Sequence, residues 1–509
     1  MVKFKKLFSL KFVSFIFAFL VISFSLVTLV SCSNNEIDRV SKGLTTYEIT
    51  AKLSEDMKIL GTEKVIYKNN TGVSISELDF HLYPRAFRKD AIIKPYTSLT
   101  LASCFPNGQS YGDIEIKNVT VNEGKIEHII SGDDEDILNI PLNFSLENKK
   151  IVEVVIDFEI TIPNCTHRFG YYNDNINLGN WYPIVCVFEN GEFNKTPYYA
   201  TGDPFYSDMA NYFVNFTYPS DYSLFATGER IDFNEELKNE TNNVTKLSAK
   251  AVRDFAINLS KNTQAVSGKI DNTTVTYVGY KSDENMQEYL NLSLKAYKFF
   301  SENFGKYPYS SLIVVKTPFI YGGMEYPNIV FISDSIDDED EYKKVIVHEI
   351  AHQWWYGVVG NNEIKEAWLD ESLTEYSTAL FFENNTEFGI DYNELIDNAI
   401  SSYTLYVDVI KSIRDSVNTK MTLPVNEYQN DYEYSYMIYV KGVIMFDELK
   451  NAVGEGKVVS GLKKYYNDNK FTNATKDDFY CAFKSACHKD LESFFEGYLS
   501  GTTVIANLS

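Results

Sequence analysis

Histidine is scarce in this chain, with six in 509 residues. Cysteine is no commoner, also six, and no two are spaced as CxxC or in any other metal-type pattern. That leaves no sequence signal for a cysteine-built metal site. Basic residues are in deficit, 47 Lys and Arg against 70 Asp and Glu, for a formal net charge of −23. Nucleic acid is excluded as a partner, because phosphate binding needs clustered Lys and Arg. The same deficit argues against adsorption on anionic lipid through a basic face. Internal repeats are absent, and the only biased stretches are short acidic loops. An acidic surface of this kind keeps a protein soluble and exerts a mild pull on cationic substrates.

What is present is a long chain, 44% hydrophobic and 15% aromatic. That length exceeds one compact core and implies two or three domains. The first residues, "MVKFKKLFSLK", carry Lys3, Lys5, Lys6 and Lys11, and an apolar run from Phe12 to Val30 follows. Basic start, apolar run and small residues form a secretory signal. The tetrapeptide "LVSC", residues 29–32, resembles a bacterial lipobox, which implies a lipid on Cys32. An uncleaved membrane anchor is the alternative reading of the same run. Either way the body of the protein is expected outside the cell, lipid-anchored or otherwise held at a bacterial membrane. Loss of residues 1–31 removes four lysines and no acids, which makes the mature chain more acidic still. Five cysteines then follow Cys32, an odd number that cannot all pair; there is room for one bridge, with its partners open.

Residues 33–44 are short and polar and read as a tether. From 45 to 262 the pattern is strand after strand. In "IVEVVIDFEITIP", Val152, Val154, Ile156, Phe158 and Ile160 share one face, and Glu153, Asp157 and Glu159 the other. After 263 a few more strands give way to helical periodicity, through residue 509. "EYKKVIVHEIAHQWWYG" reads as a helix stopped by Gly357, and "YSYMIYVKGVIMFDELKNAVG" and "TKDDFYCAFKSACHKDLESFFEGYL" as further helices, the last capped by Thr475. The expected architecture is an N-terminal β domain, then a helix-rich lobe, with a cleft between them.

Two of the six histidines, His348 and His352, lie four apart in "HEIAH". On a helix such residues share a face, so both imidazoles can reach one ion. Glu349 is rotated about 100° from His348 and can reach a water without ligating. This is the H-E-x-x-H arrangement of zinc proteases. A catalytic zinc takes three protein ligands and leaves a position open. Glu371, in "EAWLDESLTEY", is the candidate third ligand, because its apolar neighbours Trp368 and Leu369 argue for a buried segment.

These motifs resemble the thermolysin-like zinc aminopeptidases related to aminopeptidase N, the gluzincins. "HEIAHQWWYG" resembles the family's zinc helix, and "WLDESLTEY" its segment with the third ligand. "FGKYPY" (304–309) and "GGMEY" (322–326) resemble its upstream motifs, "YVKG" (439–442) its tyrosine segment, and "GDPFYSDMANYFVNF" (202–216) a stretch of its N-terminal domain. The resemblance implies a saddle-like all-β domain followed by a thermolysin-like α+β domain with a helical lobe, in a short form without the family's C-terminal domains. It implies one Zn²⁺ on His348, His352 and Glu371, with Glu349 as proton carrier and Tyr439 as donor to the oxyanion. Glu325 would hold the free α-amino group of a peptide, and Gly322 and Gly323 would leave room for the peptide to add as a strand. The activity implied is aminopeptidase; an endopeptidase using the same site, or a peptide-binding lipoprotein, are the alternatives.

The chain departs from the pattern in several places. Gly323 and Tyr326 replace the alanine and asparagine of the family's GAMEN motif, Asp370 an asparagine, Ser372 a glycine. Thr378 stands where the family often has a glutamate, which makes Glu375 the candidate partner for a ligand. The second amine-binding residue is not identified; Glu189 and Glu192 lie in about the right region.

Overall fold

The computed structural model describes residues 34–231, 241–414 and 416–503. The signal segment and Cys32 lie outside the described residues. The N-terminal half is built on an eight-stranded sheet. Its long central strands are Asn242–Val252, Ala210–Pro219, Thr45–Leu53, Lys58–Lys68, Ile151–Thr161 and Asp113–Val121, in that spatial order. All neighbours are antiparallel except Thr45–Leu53 with Ala210–Pro219. Strict alternation explains the single buried face: Val152, Val154, Ile156, Phe158 and Ile160 are inside. Two smaller four-stranded sheets share the core that this face creates.

A second, five-stranded sheet begins at Thr263. Its order is Thr263–Ile270, Thr273–Tyr280, Ser311–Thr317, Ile329–Ser333 and, at the edge, Gly323–Met324. The two inner pairings are parallel and the edge strand is antiparallel. Val278, Val315, Met324 and Phe331 join the N-terminal core, whereas Val275, Val314, Val330 and Ile332 join the helical core. A sheet buried on both faces is what nearly continuous apolar strands such as Ile329–Ser333 require. The result is an N-terminal β domain followed by an α+β domain with a helical lobe. Buried Arg253 fastens the two halves, donating to the carbonyls of Tyr356 (2.6 Å), Ser207 (3.0 Å) and Thr472 (3.2 Å) and to Asn473 Oδ1 (2.6 Å).

Three segments differ from the sequence reading. In place of a loose tether, Asn34–Ser41 is a helix tied to the body by Lys250–Asp38 (2.8 Å) and Lys470–Glu36 (2.7 Å) ion pairs. The helix expected to run to Gly357 ends earlier, as Glu339–Ala351 with Asp338 as N-cap, and His352 is its C-cap residue. The expected helix over 434–454 is broken: Asp431–Ser435, a π-type turn Tyr436–Val440, then Lys441–Val453. Apolar periodicity continues through such a turn and hides it. The last expected helix is likewise two, Lys476–Cys487 and Glu492–Leu499, separated by left-handed His488. Its first part begins with a Thr475–Asp478 capping box.

Candidate metal centre and active site

The Glu339–Ala351 helix presents His348 and His352 on one face, four residues apart. The Glu371–Asn384 helix packs against it and starts with Glu371. The His348 and His352 Nε2 atoms are 3.0 Å apart, and each is 3.2 Å from Glu371 Oε2. Ligand atoms about 2.0–2.2 Å from a tetrahedral ion lie roughly 3.3–3.6 Å from one another, so the triangle is close to that of a zinc site. Two imidazole nitrogens and a carboxylate, with their lone pairs converging, fit Zn²⁺ in donor type and number.

The far side of each imidazole is also occupied. His348 Nδ1 is 3.0 Å from Glu375 Oε2. His352 Nδ1 is 2.6 Å from Asp370 Oδ1, with the Trp355 carbonyl and the Thr374 hydroxyl each at 3.1 Å. A carboxylate accepting the Nδ1 proton leaves Nε2 bare and oriented for a metal. Asp370 is not the asparagine of the resemblance, and its charge suits this contact.

Glu349 is buried next to the donor triangle, with Oε2 lacking any donor. Burial, opposed by the two histidines and aided by Glu371 and Asp203, pushes its carboxyl up to about 7. Gly323 lies directly against it, and a Cβ there would overlap the carboxylate. The room at Gly323 therefore serves Glu349 as well as any peptide, while a Cβ at Gly322 would meet only Val345 at 3.4 Å. Tyr439, held in the π-type turn, donates to Glu371 Oε1 at 2.5 Å and stacks on His348. Gly442 permits the close helix packing that sets this turn, because a Cβ there would strike Ser372.

Glu325 follows the edge strand and is buried, with Oε1 unpartnered. Its position is set by Gln353, whose amide donates to the Glu325 and Tyr326 carbonyls (3.2 Å each) and accepts from Asn328 N (2.8 Å). Donor atoms of Glu325, Glu363 and Asp370 all lie within 4.8 Å of one another. Burial first pushes both the Glu325 and Glu363 carboxyls well above the usual range, followed by Asp203 for Glu325 and by Asp370 for Glu363. Tyr326 points away from the site: its hydroxyl donates to Asn180 Oδ1 at 2.9 Å, in space that only a glycine at 179 leaves open.

His348, His352, Glu371, Glu375, Glu349, Tyr439, Glu325, Gly322 and Gly323 all face one cavity of about 450 Å³, in the range of small-ligand sites. The far wall comes from the N-terminal domain. Arg168 and Asp203 form a buried ion pair there, with Arg168 between the rings of Phe205 and Tyr321. Asp203 is pushed up to about 7 by burial, against the pull of Arg168. It is the N-terminal-domain carboxylate nearest in effect to Glu325, whereas Glu189 is engaged by Lys365 (2.9 Å) and Tyr206 (3.3 Å), and neither it nor Glu192 lines the cavity. Asp203 stands in the quoted "GDPFYSD" stretch, but nothing in the sequence sets it apart from Asp208. Tyr434 and Asp431 complete the rim.

Residues 288–498 match the peptidase family M1 domain. Residues 288–498 therefore resemble an M1 peptidase domain. The chain is 28% identical over 208 residues to leucine aminopeptidase 2 of Aspergillus fumigatus, covering 40% of this chain and 31% of that one. It is 22% identical over 408 residues to aminopeptidase N of Lactococcus lactis, covering 75% of this chain and 46% of the relative. The chain thus spans about a third to a half of these curated relatives. The M1 zinc metallopeptidase of Deinococcus radiodurans has the same fold, at TM-score 0.61 and 12% identity, over 91% of this chain and 94% of that one. The three donors and Glu349 all fall inside the matched M1 segment.

Proposed function

We propose that this protein is a zinc aminopeptidase that removes N-terminal residues from peptides, exported and held by a lipid on Cys32 at the outer face of a bacterial membrane. The observation that carries the catalytic part is the convergence of His348, His352 and Glu371 in one cavity with Glu349, Tyr439 and Glu325. Zinc, when bound by those three residues, supplies Lewis acidity for attack on a peptide carbonyl. Glu349, buried beside the donor triangle with Oε2 free, is placed to take a proton from the attacking water and return it to the leaving amine. The Tyr439 hydroxyl donates toward the oxygen that gains negative charge. Glu325 has a free oxygen for the peptide's ammonium, and Asp203 adds a second carboxylate on the same cavity. The Gly323–Met324 strand is the outer edge of its sheet, so an extended peptide can pair along it. A Deinococcus radiodurans M1 structure contains the tripeptide Tyr-Ser-Ala as substrate, in keeping with a peptide in a site of this fold.

The test is hydrolysis of a panel of aminoacyl-p-nitroanilides, with Glu349→Gln and a chelator as controls. Activity confined to free amines supports an aminopeptidase; cleavage of acetylated peptides at equal rate would make it an endopeptidase. Export and anchoring rest on the basic start, the apolar run and "LVSC". Fatty-acid labelling that is lost in Cys32→Ala supports the anchor, and labelling that persists overturns it.

A further inference from the structure

Cys104 and Cys165 are distant in the chain but come together in the N-terminal core, both buried, where the Cys165 thiol donates to the Phe169 carbonyl at 3.4 Å and feels the neighbouring Cys104 thiol. The neighbouring backbone is zipped around them. Thr166 N donates to the Cys104 carbonyl at 3.0 Å, and the Thr166 hydroxyl to the Ser103 carbonyl at 2.7 Å. His167 Nε2 is 2.9 Å from the Pro95 carbonyl. The other described cysteines stand elsewhere: Cys186 beside Asp79 and Lys195, Cys481 exposed, Cys487 against the Lys457 carbonyl. The odd count therefore resolves into one pair in contact and three separate thiols.

We propose that Cys104 and Cys165 form a disulfide in the mature protein. The bridge fastens the segment 95–104 to the segment 165–168; the second carries Arg168 of the cavity lining, and the first touches the lining residue Asp431. Thr97 donates to Asp431 Oδ2 at 3.0 Å, across the cleft, where Thr201 donates to Oδ1 at 2.7 Å. Arg168, three residues after Cys165, holds Asp203 in the cavity wall. A covalent tie at 104–165 thus anchors the wall opposite the metal ligands.

The chemistry is thiol–disulfide exchange with a small disulfide such as oxidised glutathione. Both S–H bonds break and one S–S bond forms; the protein loses two electrons and two protons, and the oxidant becomes two thiols. Exchange requires a thiolate, and burial pushes the Cys165 thiol well up. The bridge therefore forms during folding, before the core closes, and the closed reduced protein reacts slowly. In the cell its oxidant would come from the exported location proposed above; in the test a redox buffer supplies it, so the two readings fail separately.

The full chain is reduced in denaturant, refolded in a buffer of reduced and oxidised glutathione, alkylated in denaturant and digested without reductant. Mass spectrometry should find Cys104 and Cys165 joined in one linked peptide pair, with Cys186, Cys481 and Cys487 alkylated. Alkylation of both Cys104 and Cys165, or pairing of either with another cysteine, overturns the proposal. A second measurement needs no refolding: chain isolated without reductant should melt several degrees higher than the same chain after reduction. The Cys104→Ala/Cys165→Ala double variant should show no such difference. An equal shift in wild type and double variant overturns the assignment.

Discussion

Gly323 approaches Glu349 so closely that a single added carbon would overlap the carboxylate. The edge strand and the Glu349 carboxylate are therefore fitted to each other. Gly323→Ala should displace Glu349 and lower kcat by about 100-fold, the usual effect of misplacing a reacting group by an ångström. Zinc content, measured by atomic absorption, should be unchanged. Gly322→Ala, whose new methyl would meet only Val345 at ordinary contact distance, should keep most activity. Equal losses in the two variants would refute the fit.

Glu375 and Asp370 each hold one imidazole by its Nδ1 side. Glu375→Gln and Asp370→Asn should each weaken zinc binding by roughly 10- to 100-fold. Competition with a chromophoric chelator measures this directly. Because zinc binds the folded chain, the chelated protein should also melt lower and recover on adding zinc.

Glu325 retains an oxygen with no partner in a buried place. Glu325→Gln removes a charge-assisted hydrogen bond of about 1.5–3 kcal/mol to a peptide ammonium, which lowers kcat/KM by roughly 10- to 150-fold. The loss should appear with free-amine substrates and leave any residual turnover of acetylated ones unchanged. A uniform loss across both would assign Glu325 a purely structural place.

Lys441 is fully buried and donates to the carbonyls of Thr419 and Tyr498, both at 2.6 Å. Burial pushes its ammonium down from the ordinary 10.5 to about 7. Between those values the unfolded chain binds more protons than the folded one, so stability from this group rises with pH through that window and is lost as pH falls toward 7. Urea midpoints at pH 7.5 and 9.5 should differ more for the wild type than for Lys441→Met. An identical slope in both would mean that Lys441 titrates normally.

Much of the site was legible because its chemistry is written locally. The spacing of His348 and His352 needs only one helix, and Glu349 comes with it. Glu371 was legible through its buried neighbours, and Tyr439 and Glu325 through resemblance. The clean alternation of Ile151–Thr161 made the β domain readable strand by strand. The π-type turn at Tyr436–Val440 was not legible, since one inserted residue leaves the apolar pattern almost unchanged.

The sequence by itself determined the metal chemistry, the order of the two halves and the acidic, cysteine-poor character of the chain, because spacing and composition act over short range. Only the tertiary structure decided that Asp203 rather than Glu189 faces Glu325, that Tyr326 turns into the core against Gly179, and that Cys104 meets Cys165. Each of these joins residues from separate strands or lobes, and such contacts depend on sheet register and lobe packing, which local pattern does not encode.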